Sequence, residues 1–323
     1  MREVSVVPFQ ESLSDAWNRF LLGSEVDTFL FHRSFMNYHA HRFTDASLMF
    51  YHKKKLLALL PAHTDGESVH SHSGLSYGGF IFSTNEGLDV KLTCYYQALR
   101  FFYQKGFKNL FLKGLPIVYL KQFQQEDEII CNWLGAVVSR VDNYSVLCTE
   151  GYKPNRNRQR ALKKADEEGI VVKETQDFEG FWKKLLVPNL EHRFNTAPVH
   201  TLEEITNLKL NFSNEIKLFA AYQANGMKAG AVIFELENVA HFQYSAGDQD
   251  RAHNGALDAL FYEIIKGYGH KKYISFGTSS IKMGNQLNQG LLYWKESFGA
   301  KSIAQKFYTI SIENYKLLEN RLV

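Results

Sequence analysis

Residues 287–299 read LNQGLLYWKESFG, and a lysine stands there beside an apolar stripe. Leu287, Leu291, Trp294 and Phe298 recur at helical spacing. Asn288 and Lys295 are seven residues apart, so they almost eclipse one another, roughly 70° from the centre of the apolar stripe. A lysine on that flank is either a surface residue whose stem covers apolar area or a working residue whose charge holds an anionic group. A helix packed on a sheet turns that flank to the edge of a cleft. Gly290 is expected on the far side, where another backbone can approach closely.

Four further stretches carry residue types that can do chemistry. GLSYG (74–78) matches the GxSxG pattern of a nucleophilic Ser76, which requires a strand before the serine and a helix straight after it. The strand-like GFIF follows instead, so a Gly/Ser bend is the simpler reading. Seven of the twelve histidines lie between His32 and His72, with His39/His41 and His70/His72 as i, i+2 pairs. No carboxylate or cysteine joins them at ligand spacing, so no metal site is expected, and a pocket lined by His72 and Tyr77 is preferred. NRNRQRALKKADEEG sets Arg156, Arg160, Lys163 and Lys164 on one helical face. That face is either solvated or a grip on phosphates, since guanidinium forks suit phosphate oxygens. DRAHNGAL (250–257) stands where a strand hands over to a helix. Asn254-Gly255-Ala256 can bring a phosphate to the helix N-terminus, and Asn254 can equally be a plain N-cap.

The bulk numbers set the frame for these residues. The chain has 323 residues, is 45% hydrophobic and 22% charged, and carries a net charge of +3. Two domains of ordinary composition are expected, and the charge alone does not argue for nucleic acid. Cys94, Cys131 and Cys148 fall in no zinc spacing, which fits a reducing compartment. No signal peptide or spanning segment is evident, so a cytoplasmic protein without membrane insertion is expected.

Strand and helix patterns alternate twice. In the first half, helices are expected over 13–22, 33–43, 90–105 and 123–139, with strands over 47–63 and 109–114. In the second, strands are expected at 169–174, in a meander over 216–247 with a hairpin at Asn225-Gly226, at 273–277 and at 303–312. Helices are expected from Phe178 to Leu186, from a capping box at Thr201/Glu204, and over 254–266. ALRFFYQKGF (98–107) lines up with ALFYEIIKGY (259–268) at a constant offset of 161. Two α+β domains, 1–150 and 151–323, joined at the polar segment 151–160, are the expected organisation.

Strand, helix, three-strand meander, helix, strand, helix, strand is the order of the GNAT acyltransferase fold, here twice. The LNxGLxxWKxxFG pattern, HSHSGLSYGG and NRxRxxxKKAxxEG together resemble FemAB-like transferases, a tandem-GNAT group with bacterial members found beside polysaccharide-assembly systems. The resemblance implies two tandem GNAT domains with mixed, mostly antiparallel sheets. It implies an N-acyltransferase that moves an acetyl or aminoacyl group to an amino group on a sugar or cell-surface precursor. The rival reading is a silent binding protein for such a glycan or peptide precursor. Acetyl-CoA is one donor the resemblance allows. Arg251, Asn254, Gly255 and Ala256 stand where GNAT enzymes carry [QR]xxGx[GA], with Asn254 in place of the first glycine. Aminoacyl-tRNA is the other donor, although the coiled-coil insertion of some FemAB proteins has no counterpart here. Acyl transfer needs a base, donors for the oxyanion and juxtaposed reactants. On that chemistry the candidates for the base are Glu235, Glu237 and His241, and for the donors Lys295 and the backbone around Tyr244–Gly247. The candidate substrate contacts are His72 and Tyr77 from the pocket, Arg156 and Arg160 from the basic face, and Asn288 from the helical wheel.

Overall fold

The computed structural model describes residues 3–224, 226–248 and 254–321. Its first half contains β1 (Ser5–Pro8), α1 (Ser14–Leu22), β2 (Leu48–His52), β3 (Lys55–Leu60), β4 (His63–Asp65), β5 (Ser68–His70), α2 (Leu88–Gln104), β6 (Asn109–Lys113), α3 (Glu126–Trp133) and β7 (Val137–Cys148). Its second half contains α4 (Arg156–Glu167), β8 (Val171–Thr175), α5 (Val187–Phe194), α6 (Leu202–Asn211), β9 (Ile216–Gln223), β10 (Gly226–Glu235), β11 (Val239–Gly247), α7 (Ala256–Gly267), β12 (Tyr273–Thr278), α8 (Gln289–Ser297) and β13 (Lys301–Ser311). None of the described helices is long and apolar enough to cross a membrane.

The chain divides into two compact units. One runs to Asp142 and takes in Met283–Asn285 and the chain from Ala304 onward; the other holds Asn143–Lys282 and Gln286–Ile303. The units therefore do not follow a single cut at 150/151. In the first unit, β1, β2 and β3 form an antiparallel meander. Strand β5 lies parallel to β6, which pairs on its other side with β13. In the second unit, β8, β9, β10 and β11 are antiparallel neighbours. Strand β11 is parallel to β12, and β12 pairs with Tyr144–Cys148 of β7.

A parallel pair needs a crossover, and a helix supplies it in each unit. Helix α2 lies between β5 and β6, and α7 lies between β11 and β12. These are the two helices that hold the repeated segments. Ala98, Leu99 and Phe102 of α2 and Leu260, Phe261 and Ile264 of α7 are buried against their own sheets. Gly106, at φ 86°, ends α2 in the left-handed conformation that favours glycine.

Most expected elements are present, including the hairpin pairing Gln223 with Gly226, although Asn225 itself lies outside the described residues. The Thr201–Glu204 capping box forms at 3.1 and 2.8 Å. One element was misread. The helix expected over 123–139 stops at Trp133, Gly135 turns the chain at φ 62°, and Val137–Cys148 is a strand. Its β-branched Val137, Val138, Val141 and Val146 suit a pleated surface better than a helix.

Candidate active site

In the second unit, β11 and β12 stay paired for only three residues, Val239↔Tyr273, Ala240↔Ile274 and His241↔Ser275. Beyond them β11 continues beside β10 alone, and β12 continues toward Tyr144. Val232 pairs with Tyr244 and Ile233 with Phe242, so Gln243 of β11 is an extra residue that forms a bulge, the kind of irregularity that re-aims side chains beside a site. The parted strands open a cavity of about 710 Å³, walled by Phe242, Phe261, Phe276 and Trp294 and by the polar groups of Arg158, Asn189, Asp258, Asn288 and Lys295.

Lys295 is the centre of this arrangement. It is 4% exposed and donates to the carbonyls of Gly277 (3.1 Å) and Thr278 (2.7 Å) at the end of β12. Among the described residues no carboxylate forms an ion pair with it. Burial pulls its pKa down to about 7, because desolvation disfavours the ammonium. Lys295 is thus a buried group facing a cavity, not a snorkelling one. Asn288 caps α8, accepting from the Leu291 N–H at 3.0 Å, and lines the same cavity. Two expectations about this helix fail. Leu287 precedes α8 and is 47% exposed, outside the buried stripe. Gly290 is exposed on the cavity wall rather than pressed against another backbone; an added Cβ would meet nothing nearer than Asn288 Oδ1 at 3.7 Å.

The proposed bases and donors separate. Tyr244 lines the cavity, but its hydroxyl contacts His200, accepting from the backbone N–H at 3.1 Å and lying 2.6 Å from Nδ1. Burial raises the Tyr244 pKa to about 12, so the phenol stays protonated. His241 is buried behind the cavity with Nδ1 3.1 Å from Ser275 Oγ. Desolvation first, and then the charge of Lys295, lower its pKa to about 4. Glu235 does not reach the site. It accepts from Tyr268 at 3.0 Å and pairs with Lys271 at 3.1 Å, a structural ion pair at the other end of β10. Glu237 lies exposed in the turn that follows.

Helix α4 presents a different face from the one expected. Arg156 and Arg160 are exposed, whereas Arg158 turns inward and pairs with Asp258 of α7 on the cavity wall. Burial raises the Asp258 pKa despite this partner. The segment held to resemble a coenzyme loop is used for packing. Asn254 accepts from the Ala256 N–H at 2.9 Å and donates to Asp248 at 3.2 Å. Gly255, at φ 68°, backs onto α4, where a Cβ would lie 2.5 Å from the Ala161 carbonyl. Ala256 is buried, and Arg251 lies outside the described residues.

His72 and Tyr77 belong to the first unit. Tyr77 is buried, donates to Thr28 Oγ1 at 2.8 Å and stacks on Tyr119 at 4.5 Å. His72 packs edge-on against His39 and His63. Among the described residues no group of three or more His, Cys, Asp or Glu is placed to hold a metal ion. Ser76 lies in a run of bends, and no helix follows it, so the nucleophile elbow is not formed.

No family model matches the sequence, and no curated protein matches it. Solved structures do. FemX aligns with a TM-score of 0.66 at 10% identity, covering 98% of this chain and 99% of that chain. L-PGS from Bacillus licheniformis aligns at 0.59 and 12% identity, covering 96% of each. A tandem GNAT protein from the clavulanic acid biosynthesis pathway aligns at 0.54 and 10% identity, covering 96% of this chain and 99% of that one. At such identities the likeness is one of fold. The chain has the tandem GNAT fold, mixed in its sheets, that FemAB-like proteins share.

Proposed function

We propose that the protein is an N-acyltransferase that works in the cavity of the second unit, moving an acetyl or aminoacyl group to an amino group of a sugar or cell-surface precursor. The observation that carries this reading is Lys295, a buried ammonium with no carboxylate partner among the described residues, at the mouth of two parting parallel strands. An amine attacks the acyl carbonyl, the C–N bond forms, and negative charge gathers on the carbonyl oxygen. In this reading Lys295, which lines the cavity, donates to that oxygen. Collapse reforms the carbonyl and breaks the C–O or C–S bond, expelling the alcohol or thiol of the donor, which takes up the amine's extra proton directly or through solvent. Asp258 and Asn288 line the cavity where they can orient the reactants.

The donor is weighted toward an aminoacyl ester. In the segment compared with the coenzyme loop, Asn254 already occupies the Ala256 N–H, and Gly255 is spent on contact with α4. Acetyl-CoA remains the comparison donor.

The test is transfer of label from acetyl-CoA or from charged tRNA to an amino-sugar nucleotide or a peptidoglycan precursor, read by mass spectrometry. Lys295→Met should lower turnover by about 10²–10³-fold with the acceptor still bound, the loss seen when an oxyanion donor is removed. Wild-type turnover in that variant would overturn the role of Lys295. Binding of acceptor without transfer from either donor would leave the chain a binding protein.

A further inference from the structure

The first unit has a cavity of its own, about 560 Å³, where β5 and β6 part after the pair His70↔Phe111. It repeats the device of the second unit with different residues. Lys113, on the cavity wall, directs its ammonium to the carbonyls of Ser73 (3.5 Å) and Leu75. Among the described residues no carboxylate forms an ion pair with it. Burial, and then the charge of Arg140, lower its pKa to about 8.

Two neighbours are held in ways that packing alone does not require. His72 is 5% exposed and lines the cavity with φ 70°, a conformation that costs a residue with a Cβ and persists where the surroundings over-determine it. Its Nδ1 is buried with no hydrogen-bond partner. Burial lowers its pKa to about 2, so the ring is neutral and able to donate or accept. Arg140 is gripped by both oxygens of Asp142, a pairing that fixes its plane 4.6 Å over the ring of Phe307. The wall therefore joins a lysine ammonium, a neutral imidazole and a flat guanidinium–phenyl surface. A flat ring stacks on such a surface, and an anion favours the ammonium of a half-buried lysine that has no ion-paired carboxylate among the described residues.

We propose that this cavity is a second ligand site, built for a small anion carried on a flat ring, with the anionic group on Lys113 and His72 and the ring against Arg140 and Phe307. The anion is a phosphate or a carboxylate, so a nucleotide and an aromatic acid share the required chemistry. Nothing in this assignment depends on acyl transfer in the second unit.

The experiment is calorimetric titration of the full chain with uridine and adenosine monophosphates, 4-hydroxybenzoate, uncharged adenosine and inorganic phosphate. One ring-bearing anion should bind saturably at one site per chain, at least about ten-fold tighter than adenosine or free phosphate. The tighter arm names the source, nucleotide or aromatic acid. Lys113→Met should weaken it about ten-fold or more, and Phe307→Leu, which spares the charge, should weaken it several-fold. Lys295→Met should leave this titration unchanged. If Lys113→Met does not fold, the Phe307→Leu result and a fall in affinity with added salt decide. The proposal is overturned if no ring-bearing anion saturates by about 10 mM. It is equally overturned if free phosphate binds as tightly, or if Lys295→Met, not Lys113→Met, abolishes binding.

Discussion

Lys295 carries two consequences for pH. An unfolded lysine keeps its proton to about pH 10.4, whereas the folded one releases it at about 7. Between those values the unfolded chain holds more protons, so raising the pH stabilises the fold through this group. Lys295→Met removes the cost of burying the charge. It should raise stability at pH 6 by roughly 1–3 kcal/mol, with the gain shrinking by pH 10, as urea titrations at the two pH values would show. Equal effects at both would mean that the buried amine carries no such penalty. The second consequence is kinetic. The ammonium of Lys295 stabilises an oxyanion far better than its neutral amine, so kcat/KM should fall as pH rises past about 7. In Lys295→Arg that limb should move out of range, since guanidinium does not titrate. A limb unmoved in the arginine variant would assign it to another group. The lysine was legible because helical spacing alone put it on the flank of a stripe. Arg158 was not, because a basic helix read for its most charged face points to Arg156 and Arg160. The side chain that matters lies between them, selected by its partner Asp258, one hundred positions away. Glu235 failed for the same kind of reason: alternation gives a face, and Tyr268 and Lys271 decide what that face is for.

At the scale of elements, helices with a complete apolar period were readable, and so were the hairpin and the capping box. The exchange between helix and strand at 133–148 was not, because Gly135 and a run of valines follow an apolar helix without a break in hydrophobicity. The segment at 254–256 shows how one pattern serves two ends. A glycine at a strand-to-helix turn can admit a phosphate, but here φ 68° and the carbonyl of Ala161 both demand it. Gly255→Ala should therefore cost about 1–3 kcal/mol or more. Guanidinium denaturation would measure that loss, and it should exceed the loss from Gly267→Ala, where an added Cβ meets nothing within 4 Å. Comparable values for the two would remove the packing account of this glycine.

At the scale of the molecule, the repeat at offset 161 marked two similar halves, and each unit has a helix joining a parallel pair that parts to open a cavity. What the repeat could not disclose is the origin of each closing strand. β6 is flanked by β13 from the end of the chain, and β12 by β7 from its middle. Ending the chain at Ile303 would strip β6 of its antiparallel neighbour and leave Asn109–Lys113 as an open edge, prone to pairing with other chains. Such a truncation should be recovered mainly in aggregates or show a first unit that digests readily. A monomeric, protease-resistant truncation would mean that β13 is dispensable to it.

That wiring also sets a timetable. A ribosome that has just finished Asp142 has released nearly all of the first unit, but the strand that flanks β6 ends at Ser311, 169 residues later. At ~5–20 residues per second the nascent unit waits roughly ten to thirty seconds with that edge uncovered. Throughout that interval what limits stray pairing is the shortness of the exposed strand, five residues from Asn109 to Lys113.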